Sequence, residues 1–219
     1  MPSEDQQFLR QLPTQQRSID TVDLILKVAA ALLGEVGIER LSTNLICSRA
    51  GLTPPALYRY FPNKYAVLME LAKRLMERQN QAFLGWLQTA PSIFPVTAPE
   101  AAIRSLQQMQ SAVNAATREF PAAVWIMRAL RAVPLLQPLR LDAHNNAAAL
   151  SFSLVRPHYP NATDAELRLA TRLSTEMFYC ATELVFDDPE IDDQRVNEEV
   201  AEMVVRYFDK FNLRPDAPV

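Results

Sequence analysis

Residues 42–64 read STNLICSRAGLTPPALYRYFPNK, and the rest of the chain is organised around this stretch. Ser42 or Thr43 can cap a helix, because a side-chain oxygen there accepts a bond from an amide that the first turn leaves unpaired. Leu45, Ile46 and Ala50 recur at helical spacing, and Gly51 suits the left-handed conformation that ends such a helix. Thr53 reads as a second cap, with Pro54 at the first helical position, where a missing amide costs little. Leu57 and Phe61 form the buried stripe of the second helix, with Tyr58, Arg59 and Tyr60 largely off it. Two short helices joined by a glycine-containing turn make a helix-turn-helix. Between residues 40 and 65 the basic side chains are Arg40, Arg49, Arg59 and Lys64, with no acid. In a chain of net charge −3 that is a surface suited to phosphates. Tyr58, Tyr60 and Lys64 are spaced to meet successive backbone oxygens of a nucleic acid. The alternative from the same pattern is an all-α interaction module that offers this surface to a protein partner. The acid-free stretch argues against it.

The run T-x-x-I-x-x-x-A-G-L-T-x-x-x-L-Y-x-Y-F-x-N-K is carried by Thr43, Ile46, Ala50, Gly51, Leu52, Thr53, Leu57, Tyr58, Tyr60, Phe61, Asn63 and Lys64. It resembles the DNA-binding signature of the TetR family of bacterial transcriptional regulators. Ile25, Ala29, Leu33 and Gly37 stand where that family has its first helix and its end. The signature covers about the first third of the chain; the remainder matches only in length and in being helical. The resemblance implies a non-enzymatic repressor, homodimeric on a pseudo-palindromic double-stranded operator and released by a small-molecule effector. It implies that Thr43, Tyr58 and Lys64 contact phosphates and that Asn44, Pro54, Pro55 and Tyr60 lie at or near base edges. Thr53 and Arg59 complete the DNA-facing set. Cys47 replaces a usual alanine, and Pro54 stands where a polar or basic side chain is frequent. The pair Pro54-Pro55 removes two backbone donors and offers apolar contact instead, suited to a thymine methyl.

Composition narrows the classes further. The 219 residues, 49% hydrophobic, suffice for one large or two small domains. No apolar run reaches membrane-spanning length, and the polar, acidic N-terminus lacks the charged-then-apolar order of a signal peptide. A cytoplasmic protein with no membrane partner is expected. Cys47 and Cys180 form neither a disulfide framework nor a metal motif, and both read as reduced, buried thiols. With four glycines, no phosphate loop, no G-x-S-x-G and no H-E-x-x-H, nucleotide, hydrolase and zinc-protease chemistry is not indicated, and no cofactor is expected. An enzyme built on His144 and Cys180 lacks any paired catalytic group. Residues 1–90 carry ten Lys or Arg against eight Asp or Glu, whereas the remainder carries twelve against seventeen. An acidic back and a locally basic front would orient the molecule on DNA.

Long helical patterns without alternating strands predict an all-α fold. Residues 1–17 read as a flexible arm, 18–65 as the DNA-binding domain and 66–219 as an effector-binding and dimerisation domain. A first helix over 18–36 buries Val22, Ile25, Leu26, Ala29, Leu32 and Leu33 and ends at Gly37. A long helix over 64–87 carries Val67, Leu68, Leu71, Leu75, Phe83, Trp86 and Leu87 at the 3.6 period and joins the two domains. A proline-punctuated loop at 91–99 follows, and Thr97 with Glu100 reads as a capping box. Further helices are predicted near 100–119, from Pro121 to Pro134, from Pro138 to about 156, over 163–186 behind a second capping box at Thr163 and Glu166, and over 189–212.

The helices near 163–187 and 189–212 invite a second copy. Leu167, Ala170, Ser174, Met177, Ala181 and Leu184 form a stripe whose small members allow close approach, and Val200 and Val204 extend it. The opposite apolar flank, Leu169, Leu173 and Phe178, then faces the chain's own core. Trp86, Met109, Trp125, Met127, Phe152 and Phe178, with His144 and Asn145 as polar anchors, have the mixture of an apolar effector site. His158, between two prolines and a tyrosine, reads as loop surface.

Overall fold

Helices form where the apolar period runs unbroken, and glycine, proline and hydroxyl side chains set their ends. The computed structural model describes residues 16–89 and 98–212. Among them the chain is all-α: α1 (Gln16–Arg40), α2 (Thr43–Ala50), α3 (Pro54–Tyr58), α4 (Lys64–Thr89), α5 (Pro99–Arg118), α6 (Ala123–Ala132), α7 (Gln137–Val155), α8 (Asp164–Asp187) and α9 (Asp193–Asn212). The expected arm at 1–17 and the Thr97 end of the first capping box lie almost wholly outside the described residues. The second capping box is present: Thr163 accepts from the Glu166 amide, and the Glu166 carboxylate accepts from the Thr163 amide at 2.9 Å.

The chain divides into two units, but not at the boundary the sequence suggests. The first takes the residues up to Met76 together with Arg118–Leu139; the second takes Glu77–Thr117 and the residues from Arg140 onward. The N-terminal unit therefore extends past residue 65 and includes α6, which packs on α1. The physical reason lies at Gly37. This residue interrupts α1 at φ 75°, ψ 176°, and the Trp125 ring of α6 lies 3.7 Å from where its Cβ would stand. Ile126, Ala129 and Leu130 bury the inward face of α6, and Leu136 follows it into the interior. Val22, Ile25, Leu26, Ala29, Leu32 and Leu33 are all buried, as their spacing predicts.

In the second unit α5, α8 and α9 enclose an apolar core of Ile103, Leu106, Leu167, Ala170, Ala201, Val204 and Phe208, with Tyr159 beside it. Tyr159, Phe208 and Phe211 form a ring triangle with centroids 5.6–5.8 Å apart. Such aromatic contacts add about 0.5–1.5 kcal/mol per pair beyond the area they bury.

This packing reverses the expected faces of α8 except at Phe178, which packs against the chain's own core as expected. Leu167, Ala170, Ser174 and Ala181 are buried against the chain's own core, and so are Val200 and Val204 of α9. Met177 is half-buried against that core, leaving Leu184 as the one strongly exposed member of the proposed stripe, at 44%. The exposed apolar side chains are instead Leu169 at 58%, Leu173 at 45% and Met203 of α9 at 58%. α8 is apolar on two faces, and the face with its small residues packs with α9 on the chain's own core. Cys180 lies on the outward face and is exposed, contrary to expectation, whereas Cys47 is buried.

Candidate nucleic-acid interface and ligand cavity

The helix-turn-helix is built by its caps. Ser42, rather than Thr43, caps α2: its hydroxyl accepts from the Leu45 amide at 3.2 Å. Gly51 ends α2 at φ 65°, ψ 30°, the left-handed conformation the sequence requires of it. Thr53 holds extended backbone before α3, but its hydroxyl makes no capping bond; its carbonyl accepts from the Ala56 and Leu57 amides. Leu57 and Phe61 anchor α3 in the core, leaving Thr53, Pro54, Pro55, Tyr58 and Arg59 exposed, with Tyr60 half-buried. Asn44 is exposed at the start of α2. The Asn63 side chain accepts from the Ala66 amide at 3.0 Å and so opens α4, which explains the Asn-Lys pair of the motif.

Four side chains are placed differently from their sequence reading. Thr43 and Tyr58 are not independent: their hydroxyls are 3.0 Å apart and hydrogen-bonded, tying the start of α2 to the end of α3. Lys64 donates from Nζ to the Ile38 carbonyl at 3.0 Å and the Glu39 carbonyl at 3.4 Å. An ammonium on the last carbonyls of a helix is favoured by the helix dipole, so Lys64 clamps the end of α1. Arg49 forms a two-pronged pair with Glu35 of α1, at 3.0 and 2.9 Å. The Arg49 bonds lower the Glu35 pKa and raise that of Arg49 in return. Counting acids along residues 40–65 therefore overstated the local positive charge, because the neutralising carboxylate comes from another helix. Arg59 stacks its guanidinium 5.7 Å from the Tyr60 ring centroid. Burial raises the Cys47 thiol pKa, consistent with a packing role.

The second unit contains a cavity of about 390 Å³ bounded by α4, α5, α7, α8, α9 and the turn holding His158. Phe83, Trp86, Leu106, Met109, Val113, Phe178, Val204 and Phe208 make most of its apolar wall. Of the eight residues proposed from the sequence, Trp86, Met109 and Phe178 line it. The other five do not. Trp125 and Met127 belong to α6 in the first unit, Asn145 is exposed on α7, and Phe152 packs beneath the Arg168 guanidinium, 4.0 Å from its ring. His144 is buried behind the wall, its ring stacked 3.7 Å from that of Tyr179, which does line the cavity. Its Nδ1 lies 3.0 Å from both Glu176 oxygens. Burial lowers the His144 pKa and outweighs the raising effect of Glu176. A neutral ring with its proton on Nδ1 donates to that carboxylate. Burial pushes the Tyr179 pKa up to about 12, so its phenol stays protonated.

The sequence reading missed the polar wall. Thr171, Ser174, Thr175, Tyr179 and Thr182 come from one face of α8, and Gln79, Gln110 and His158 join them. Hydroxyls at helical spacing along an apolar helix were the available signal, masked because Ser174 also fitted a close-packing stripe. A buried polar network backs this wall. Gln110 donates to Thr182 at 2.6 Å, Thr182 to Asn114 at 3.0 Å, Asn114 to Asn197 at 3.1 Å, and Asn197 to Ser111 at 3.2 Å.

With this geometry established, residues 25–71 match the sequence profile of bacterial regulatory proteins of the tetR family. The helix-turn-helix region is that of the TetR family. The tetracycline repressor protein class C of Escherichia coli is 39% identical over 54 residues, 25% of each chain. The match thus spans about a quarter of the curated relatives' length. Solved structures extend the likeness in fold. The fatty acid degradation regulator FadR from Bacillus halodurans has a TM-score of 0.64 at 17% identity, covering 84% of this chain and 94% of that one. SmeT, in complex with triclosan, has a TM-score of 0.63 at 18% identity, covering 86% and 91%. No described helix of the chain is long and apolar enough to cross a membrane.

Proposed function

We propose that this chain is a cytoplasmic, homodimeric transcriptional repressor that binds a pseudo-palindromic operator and releases it when a small, mainly apolar molecule occupies the cavity. The observation that carries the reading is the α2–α3 unit, whose exposed face of Asn44, Thr53, Pro54, Pro55 and Arg59 stands on a buried Ile46–Leu57–Phe61 base. Such a unit reads DNA by laying its second helix in the major groove. Its likeness to tetracycline repressor proteins favours repression. A neighbour in fold that holds triclosan favours a small-molecule effector. The exposed Leu169, Leu173, Leu184 and Met203 supply an apolar surface for a second copy, replacing the stripe read from the sequence. α4 is one continuous helix that carries Lys64 at its start and Trp86 near its end, so it is the element available to transmit occupancy. A coupling of about 1–3 kcal/mol changes operator affinity roughly 5–150-fold.

Selection from random duplex DNA on the full chain tests the reading. Enrichment of a two-fold symmetric sequence, and its release by compounds that bind the protein, is expected. Leu173→Asp should yield monomers by light scattering and weaken binding to the symmetric duplex. Recovery of no preferred sequence overturns the assignment.

A further inference from the structure

We infer that the cavity takes an uncharged ligand whose alcohol or carbonyl oxygen is held by hydroxyls of α7 and α8, Thr175 foremost, with its apolar body against Phe83, Trp86, Met109 and Phe178. The inference rests on reading the cavity as an effector site and narrows the chemistry of that effector.

Charge sets the first limit. No Asp, Glu, Lys or Arg lines the cavity. A cation entering would lose its water without meeting a carboxylate, and an anion would find no ammonium or guanidinium, so each carries an uncompensated desolvation cost. Glu176, Arg172 and Arg140 gather around His144, and none of these four side chains lines the cavity.

The hydrogen bonds of the wall set the second. Thr171 and Ser174 donate to the Leu167 and Ala170 carbonyls one turn back, each at 2.9 Å. Gln79 donates to Thr117 at 3.0 Å, and Gln110 and Thr182 are joined at 2.6 Å. His158 is engaged within the protein. Trp86 Nε1 is sealed inside the wall, out of a ligand's reach. Asn80 is exposed, where water serves it. Ser151, Thr175 and Tyr179 remain: each lines the cavity, and none makes a side-chain hydrogen bond among the described residues. Thr175 is only 8% exposed, yet its oxygen is neither paired nor sealed. A buried hydroxyl with free surface on a cavity wall faces the cavity. Tyr179 follows it by one turn on α8, a spacing of about 5–6 Å between Cβ atoms. α7 runs antiparallel alongside, with His144 stacked 3.7 Å from the Tyr179 ring and Phe152 4.0 Å beneath Arg168, and Ser151 lies between those contacts. Hydroxyls both donate and accept, so an alcohol or a carbonyl satisfies them, whereas a hydrocarbon filling the same space strands them. A volume of about 390 Å³ suits a drug-sized molecule of this kind.

Four para-substituted biphenyls separate the terms: biphenylmethanol, methylbiphenyl without the oxygen, the anion biphenylcarboxylate and the cation biphenylmethylammonium. Equilibrium dialysis against the full chain without DNA should show biphenylmethanol bound, with both ions at least about tenfold weaker. The affinity ratio of biphenylmethanol to methylbiphenyl reads the hydroxyls, because both compounds share the biphenyl contacts. Thr175→Val keeps the shape and removes the hydroxyl, and should lower that ratio about three- to tenfold. Tyr179→Phe removes the neighbouring hydroxyl and puts the same question if Thr175→Val does not fold. Thr171→Val removes a hydroxyl that the Leu167 carbonyl already holds, and should leave the ratio unchanged. An unchanged ratio in folded Thr175→Val overturns the inference, as does an equal fall in Thr171→Val, an ion that binds as tightly as the alcohol, or no alcohol binding at its solubility limit. Release of the selected duplex is read separately. An ion that binds and releases DNA would sink the ligand class and leave the effector site intact, whereas alcohol binding without DNA release would do the reverse.

Discussion

Asn114→Leu probes the polar network that backs the cavity. Asn114 is 1% exposed; its Oδ1 accepts from Thr182 at 3.0 Å and Gln110 at 3.3 Å, and its Nδ2 donates to Asn197 at 3.1 Å. Leucine has the same number of side-chain heavy atoms, branched at the same carbon, and can make none of these bonds. Gln110 keeps the Phe178 carbonyl and the Thr182 hydroxyl as acceptors, so it is not stranded. Two groups are: the Thr182 hydroxyl loses its acceptor, and the Asn197 carbonyl oxygen loses its donor. Each stranded buried group costs about 1–3 kcal/mol, giving about 2–6 kcal/mol before the apolar gain of leucine is subtracted. A net loss of about 2–4 kcal/mol is a large share of the roughly 5–15 kcal/mol that holds a domain together. Urea unfolding followed by Trp86 fluorescence in a Trp125→Phe background reads the second unit selectively. The midpoint should fall with little change in slope. In Asn114→Leu/Asn197→Leu the loss should be less than additive, since the second change removes a group the first had stranded. A loss below about 1 kcal/mol would refute the claim that this network is closed and dry.

Gly51→Val should destabilise the first unit by about 1–2 kcal/mol, because a β-branched residue is forced to φ 65°. A Cβ there meets no atom within 4 Å, so Gly51→Asn should stay close to wild type; equal losses in thermal melts would point to sterics instead. Lys64→Met should lower the stability of the free protein by about 1–3 kcal/mol, since two carbonyls at the end of α1 lose their ammonium. A DNA-free melting temperature equal to wild type would mean that Lys64 serves phosphates alone. His144 is held neutral in the fold, so below pH of about 6.5 the unfolded chain binds the extra proton and stability falls as pH falls. His144→Gln should flatten that part of the stability–pH curve; an unchanged curve would show that the histidine does not titrate on unfolding.

The helix-turn-helix was legible because its signals are local. The Ser42 hydroxyl, the Gly51 left-handed turn and the Pro54 start each act within a few residues, and among these end signals only the Thr53 hydroxyl is silent. What eluded the sequence depends on contacts between distant residues. Glu35 meets Arg49 across 14 positions and Lys64 reaches Ile38 across 26, and no spacing rule foretells either. Periodicity shows that α8 has two apolar faces but not which one meets α5 and α9, so the inward and outward stripes were exchanged at all but Phe178 and Leu184. Trp125 and Met127 have the composition of cavity residues, yet the break at Gly37 gives α6 its seat on α1.

The affinity of a selected symmetric duplex for Pro55→Glu, against wild type, tests the central claim most directly. Pro55 is exposed in the first turn of α3, where an acid is favourable to the helix, so the variant should fold and melt like wild type. On a surface that faces phosphates the new charge should weaken binding at least about tenfold, and by more at low salt. A well-folded Pro55→Glu that binds the duplex as tightly as wild type would contradict the account.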